Sequence, residues 1–203
     1  MTITKLEFVS SVTKVADKVV AIASSKGGIT ALQQVLNGFP ANFDGSIIIV
    51  QHLSSLVKSH LDRILDRATS LEVITAFEGA NLLCGKVYVA PSDHHVVVNS
   101  DRSISLSHAP KEHFVRPSAE YTFKSVADTY KSKAIAVVLT GYDGDGREGV
   151  QVIKAKGGKV IAQDEATSVV FGMPESAIET GCVDLILPID EIADGIIKLM
   201  SNL

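Results

Sequence analysis

VVAIASSKGGITALQQVL, residues 19–36, opens with five apolar residues, breaks at Ser24-Ser25-Lys26-Gly27-Gly28 and resumes with Ile29, Leu32, Val35 and Leu36 at helical spacing. The apolar run has no polar alternation, as expected of a parallel strand covered on both faces. The glycine pair makes the turn into a helix, and Gly38 and Pro40 stop that helix. The segment therefore predicts a strand, a tight turn and a helix.

The same grammar recurs along the chain. IIIV (residues 47–50), AIAVVL (134–139), KVIAQ (159–163) and VDLIL (183–187) read as further strands. Between them, residues 56–68 carry Leu61, Ile64, Leu65 and Ala68 on one helical face, and residues 118–131, opened by Pro117, carry Ala119, Phe123, Val126, Ala127 and Tyr130. Pro174 opens a short helix stopping at Gly181, and Asp190 is placed to cap a last helix bearing Ile192, Ile196, Leu199 and Met200. KVYVAP (86–91) and HHVVVN (94–99), separated by Ser92-Asp93, predict an antiparallel hairpin, with SISLSH (103–108) a possible third strand. The expected fold is α/β: a doubly wound, mostly parallel sheet with helices on both faces, three-layered and Rossmann-like, with an antiparallel hairpin insertion. Residues 1–18 read as an N-terminal arm or helix and residues 19–203 as one domain.

Composition excludes several classes. The 203 residues are 46% apolar and 21% charged, ordinary for a globular chain. A net charge of −4 gives no basic footprint for nucleic acid and no polybasic patch for anionic lipid. No apolar run approaches the roughly 20 residues of a membrane span, and the charged N-terminus is no secretory signal. Two cysteines, Cys84 and Cys182, make no disulfide framework, and Cys182 sits in a run that reads as buried; a cytoplasmic location is expected. His94, His95, His108 and His113 match no zinc spacing and read mostly as surface residues, and Asp143 with Asp145 is too small a set for a metal. No cofactor or metal is expected.

Chemistry concentrates at predicted strand ends. Ser25 follows VVAIA, His52 ends IIIVQH, and Asp145 lies in LTGYDGDG just past AIAVVL. In a parallel sheet the carboxyl ends of the strands share one rim, where ligands bind. A hydroxyl, an imidazole and a carboxylate there are the parts of a nucleophile, its base and the group that orients the base. Gly27 and Gly28 offer backbone N–H groups for an oxyanion. Each residue also has a plainer reading. Serine before a helix is often only a cap, histidine after a strand is often merely hydrogen-bonded, and Asp-Gly favours tight turns. The pattern alone leaves both readings open. The order Ser, His, Asp and the lack of G-x-S-x-G separate the chain from α/β-hydrolases, and SSKGG lacks P-loop spacing.

Five segments, AIASSKGGITAL, IIIVQHLSS, GKVYVAPSDHHVVV, VRPSAEYTFKSVA with AVVLTGYDGDGREG, and IAQDEATSVVFGMPESAIETG, resemble in order and separation the catalytic domain of the bacterial chemotaxis protein-glutamate methylesterases. The resemblance implies removal of methyl groups from glutamate γ-methyl esters on the cytoplasmic helices of chemoreceptors, with deamidation of particular glutamines. It puts the nucleophile on Ser25, the histidine on His52 and the aspartate on Asp145. It also implies an oxyanion site from backbone N–H groups near Ser25 and Tyr142, with Lys26 and Arg116 as flanking cations that would attract an acidic receptor helix. This chain has Ala23, Lys26, Tyr142 and Asp143 where the family usually has glycine, threonine, methionine and glycine. Asp143 beside a developing negative charge would cost on the order of 1 kcal/mol, which Lys26 could offset. These changes motivate a competing expectation, a receptor- or kinase-binding module with weakened catalysis. Family members commonly carry an N-terminal receiver domain. Residues 1–18 are too few for one of about 100 residues, so the expectation is an open esterase, one regulated by a receiver domain in trans, or a piece of a longer protein.

Overall fold

The computed structural model describes residues 14–53, 59–142 and 144–203. Its strands are β1 (Val19–Ser24), β2 (Ser46–Gln51), β3 (Glu72–Thr75), β4 (Lys86–Val89), β5 (His95–Val98), β6 (Ile104–Ser107), β7 (Ala134–Val138), β8 (Lys159–Gln163) and β9 (Leu185–Leu187). Its helices are α1 (Gly28–Asn37), α2 (Leu61–Asp66), α3 (Ala119–Tyr130), α4 (Arg147–Ala155), α5 (Gly172–Ile178) and α6 (Ile192–Ser201). Seven strands form one sheet in the order β3-β4-β2-β1-β7-β8-β9, every neighbouring pair parallel. β5 and β6 make a separate antiparallel hairpin.

The apolar strands are buried on both faces, which is why they read as continuous runs. In β1, Val19, Ala21 and Ala23 face a core shared with Phe123 and Val126 of α3, Ile153 of α4, and Val96 and Ile104 of the hairpin. Val20 and Ile22 face the opposite core with Leu32 of α1, Leu65 of α2 and Ile196 of α6. From β1 the sheet extends through β2, β4 and β3 to one side and through β7, β8 and β9 to the other. β1 and β7 therefore flank the point where strand order reverses, and their carboxyl ends open the crevice expected there.

Several boundaries differ from expectation. KVYV is not half of a hairpin. It is β4, inside the parallel sheet, with Val87 and Val89 in one core and Tyr88 in the other. Burial on both faces selects that place, and the hairpin instead joins β5 to SISLSH, turning where Arg102 N–H returns to Asn99 O at 2.9 Å. β3, EVIT, escapes the apolar-run criterion because it is an edge strand with exposed ends. Of the helix expected over 56–68, α2 covers Leu61–Asp66, and residues 56–58 lie outside the described residues. Asp190 does not cap α6: it sits in the 3-10 turn Ile189–Glu191, and the helix starts after Glu191 without a side-chain cap. Cys182 is half-buried, not buried. Among the described residues, no helix is long and apolar enough to cross a membrane.

Candidate active site

Three strand ends are laced together at the crevice. Ser25 N–H, just past β1, donates to Thr140 O beyond β7 at 2.9 Å, and His52 N–H, just past β2, donates to Ser24 O at 3.0 Å. Gln51, 3% exposed, locks the pair: its Nε2 donates to Ser25 O at 2.8 Å and His52 O at 3.0 Å, and its Oε1 accepts from Ser24 Oγ at 2.7 Å. Thr140 Oγ1 donates to Lys26 O at 2.9 Å and ties the turn to β7. The glycines follow from this crowding. Gly27 has φ of +82° and lies against Val169, while a Cβ on Gly28 would overlap Gln51 Oε1 and stand 2.7 Å from Ser24 Cβ. Across the crevice a Cβ on Gly141 would come within 2.8 Å of Ser25 Cβ, so the backbone after β7 passes directly over the serine.

Ser25, Lys26, Gly27, Gly28, His52 and Tyr142 line one cleft of about 410 Å³. Gly28 N–H is already used, donating to Ser25 O at 3.0 Å, so it is not a donor for an anion as expected. The N–H groups of Lys26 and Tyr142 donate to no protein acceptor among the described residues. Tyr142 is 71% exposed, its side chain turned toward solvent and not filling the cleft. Asp143 lies outside the described residues.

Behind His52 stands Asp145, 1% exposed, with Oδ2 at 2.7 Å from His52 Nε2. The carboxylate is desolvated but well supplied with donors. Oδ1 accepts from Ser118 Oγ at 2.6 Å and Glu120 N–H at 3.3 Å, and Oδ2 accepts from Ala119 N–H at 2.6 Å. The two N–H groups are the first backbone donors of α3, where the helix dipole also favours an anion, and the hydroxyl belongs to the helix's capping residue. Chemically this is an imidazole whose Nε2 is held by a buried carboxylate. The carboxylate takes Nε2, the reverse of the nitrogen assignment in the Ser-His-Asp template.

Arg116 is placed elsewhere. Its Nε and Nη2 grip Asp93 Oδ1 at 3.0 and 2.8 Å, and its Nη1 donates to the carbonyls of His108 and Ala109 at 3.0 Å each. The guanidinium holds the Asp93 carboxyl below its usual range and staples a loop; Arg116 is not among the described residues that line the cleft. His95 is also corrected. It is fully buried, with Nε2 donating to Pro110 O at 3.1 Å and Nδ1 accepting from Ser118 N–H at 3.1 Å. Ser118, Glu120, Gln51 and Thr140 were not singled out from the sequence as site residues. Only Gln51 carried a signal, a polar side chain at the end of IIIV. Among the described residues, no three metal-ligating side chains gather.

The comparisons with known proteins agree with this architecture. A family model described as CheB methylesterase matches residues 20–196. The chain is 40% identical over 185 residues to the protein-glutamate methylesterase/protein-glutamine glutaminase of Clostridium acetobutylicum, covering 91% of this chain and 53% of that protein. It is 40% identical over 185 residues to the like-named protein of Pyrococcus horikoshii, covering 90% and 50%. The chain thus spans about half the length of the curated relatives it matches. The crystal structure of the Thermotoga maritima CheB methylesterase catalytic domain superposes with a TM-score of 0.86 at 39% identity, covering 92% of this chain and 98% of that one. With a model match that takes in both flanks of the crevice, β1 through α6, the chain belongs to the CheB methylesterase family.

Proposed function

We propose that this chain is a serine carboxyl-ester hydrolase that removes methyl groups from glutamate γ-methyl esters of chemoreceptors and releases methanol, with deamidation of receptor glutamines in the same site. The observation that carries the reading is the 2.7 Å His52–Asp145 pair standing behind a cleft that Ser25 lines. The names of the relatives, protein-glutamate methylesterase/protein-glutamine glutaminase, support the substrate class.

The reaction under this reading has two halves. Ser25 Oγ attacks the γ-carbonyl carbon while its proton passes to His52 Nδ1, and Asp145 stabilises the resulting imidazolium. The oxyanion is held by the N–H groups of Lys26 and Tyr142. Collapse breaks the C–O bond to the methoxy group, which leaves as methanol with the proton from His52. Water, deprotonated by the same imidazole, then attacks the glutamyl-serine ester; Ser25 leaves with the proton from His52, and the glutamic acid formed ionises to solvent. With glutamine as substrate the leaving group is ammonia and the second half is unchanged. Lys26, exposed at the mouth, favours an acidic receptor helix. Under this reading the enzyme works in the cytoplasm, where the receptor helices lie, and a phosphorylatable receiver domain acting in trans is a candidate regulator.

The test is methanol release from methylated receptor membranes. Wild-type protein should release it and Ser25→Ala should fall to background; equal rates would remove Ser25 as the nucleophile.

A further inference from the structure

Asp145 and Glu120 cap each other's helices. Asp145 lies two residues before α4 and accepts from Ser118, Ala119 and Glu120 at the start of α3. Glu120, in the first turn of α3 and fully buried, reaches the other way. Its Oε1 accepts from Gly146 N–H at 3.0 Å and Glu148 N–H at 2.9 Å, and its Oε2 accepts from Gly149 N–H at 2.6 Å. All three donors belong to the start of α4. The helices can approach this closely because of glycine: a Cβ on Gly149 would stand 2.6 Å from Phe123 Cβ and 3.2 Å from Glu120 Oε2.

We propose that Glu120 is a positioning residue for catalysis, holding the start of α4 so that Asp145 meets His52 Nε2. The inference rests on the hydrolase reading above and assigns a role to a residue that touches neither substrate nor His52. A buried carboxylate is costly unless its oxygens are satisfied, and here backbone donors take both. Burial pushes the Glu120 carboxyl up, while the Glu148 N–H and the Lys124 ammonium hold it down. The charged groups facing it are Asp145 and Lys124, whose Nζ lies 3.7 Å from Oε2 and 2.8 Å from Glu148. The chain from Glu120 to the reacting centre is short: Gly146, which it holds, is bonded to Asp145, and its own N–H donates to Asp145. Without it the Asp145–Gly146 turn gains freedom at the point where His52 needs a fixed partner.

A plain structural cap would give a different result, and two variants separate the readings. Glu120→Gln is isosteric and keeps one carbonyl oxygen for Gly146 and Glu148 while turning an amide toward Gly149 N–H; Glu120→Ala removes all three contacts. The readouts on the full chain are the His52 titration by NMR of its ring protons and the rate at which Ser25 is labelled by a fluorophosphonate. With Gln, labelling should slow by about tenfold or more. The His52 midpoint should fall by about half a pH unit or more, because a displaced carboxylate supports imidazolium less well. Ala should do more of both. Ile196→Ala, in α6 on the opposite face of the sheet, should lower Tm and leave both readouts unchanged. In an Asp145→Asn background, Glu120→Gln should add little further loss. A folded Glu120→Gln with wild-type titration and labelling, or fully additive losses in the double variant, would overturn the proposal. Failure of wild-type protein to be labelled would count against the hydrolase reading alone, since the His52 titration still decides the role of Glu120.

Discussion

The side-chain amide of Gln51 donates to the carbonyl of Ser25 at 2.8 Å and, through the same nitrogen, to His52 at 3.0 Å. One buried group thus sets the spacing of two strand ends, and it does so through the backbone carbonyls of Ser25 and His52. Replacing it by alanine leaves the Ser24 hydroxyl and the two carbonyls without that partner. Gln51→Ala should lower stability by roughly 1–3 kcal/mol. Gln51→Glu should be worse for activity, because a carboxylate cannot donate to either carbonyl and adds negative charge beside the oxyanion. Urea denaturation with fluorophosphonate labelling measures both; a Glu variant as reactive as wild type would show that the amide does not set the spacing.

Gly28 meets the same amide from the other side. Its Cα approaches Gln51 Oε1 and Ser24 Oγ so closely that a methyl group has no room. Gly28→Ala should cost roughly 1–3 kcal/mol, the scale of overpacking, and should slow Ser25 labelling, since α1 must move away from β1. Gly79→Ala is the contrasting case: a Cβ there meets nothing within 4 Å, so its cost comes from the φ of +77° and not from crowding, and Ser25 labelling should be unchanged. A Gly28 variant as reactive as wild type would argue against the crowding.

Tyr142 tests whether a departure from the family pattern matters. At 71% exposure its hydroxyl is already in water. Tyr142→Phe should therefore change kcat by less than about twofold, far below the roughly hundredfold cost of losing an oxyanion donor. The backbone N–H is retained in either residue. A tenfold loss with Phe would mean that the hydroxyl turns inward to meet substrate.

Two histidines impose pH dependence on different properties. Methanol release should rise with pH through the His52 ionisation, because only neutral imidazole accepts the serine proton. A flat profile between about pH 5 and 8 would remove His52 as the base.

His95 acts on stability instead. Burial, aided by the charge of Arg116, pushes its pKa below 6.5, against the Pro110 and Ala109 carbonyls and Asp145, which pull it up. Below about pH 6.5 the unfolded chain therefore binds a proton that the native protein refuses, and stability falls as pH drops. Protonation would also fill Nδ1, the acceptor for Ser118 N–H. The urea midpoint should be lower at pH 5.5 than at 7.5, and His95→Gln should flatten that slope while lowering the midpoint at pH 7.5. An unchanged slope would place the titration elsewhere.

The central sheet and its rim are legible in the amino-acid order alone. Runs such as VVAIA, IIIV and AIAVVL are apolar because both faces of the central strands are covered, and that property is local enough to read directly. The same order marks where chemistry could gather, since Ser25, His52 and Asp145 each follow such a run. Strands that are short, polar or on an edge were less legible. EVIT looked like nothing, and KVYV was assigned to a hairpin because its partners in the sheet are distant in sequence. How the rim is held depends on the folded arrangement. Gln51 reaches back over strand ends 26 residues apart, and Glu120 and Asp145 exchange caps between helices that begin 28 residues apart. Arg116, a cation on paper, is spent on Asp93, and His95, a surface residue on paper, is buried behind Ser118. Spacing along the chain reports which face a residue occupies. It does not report which distant backbone group will satisfy a buried polar atom, because that partner is chosen by how helices and strands close on one another.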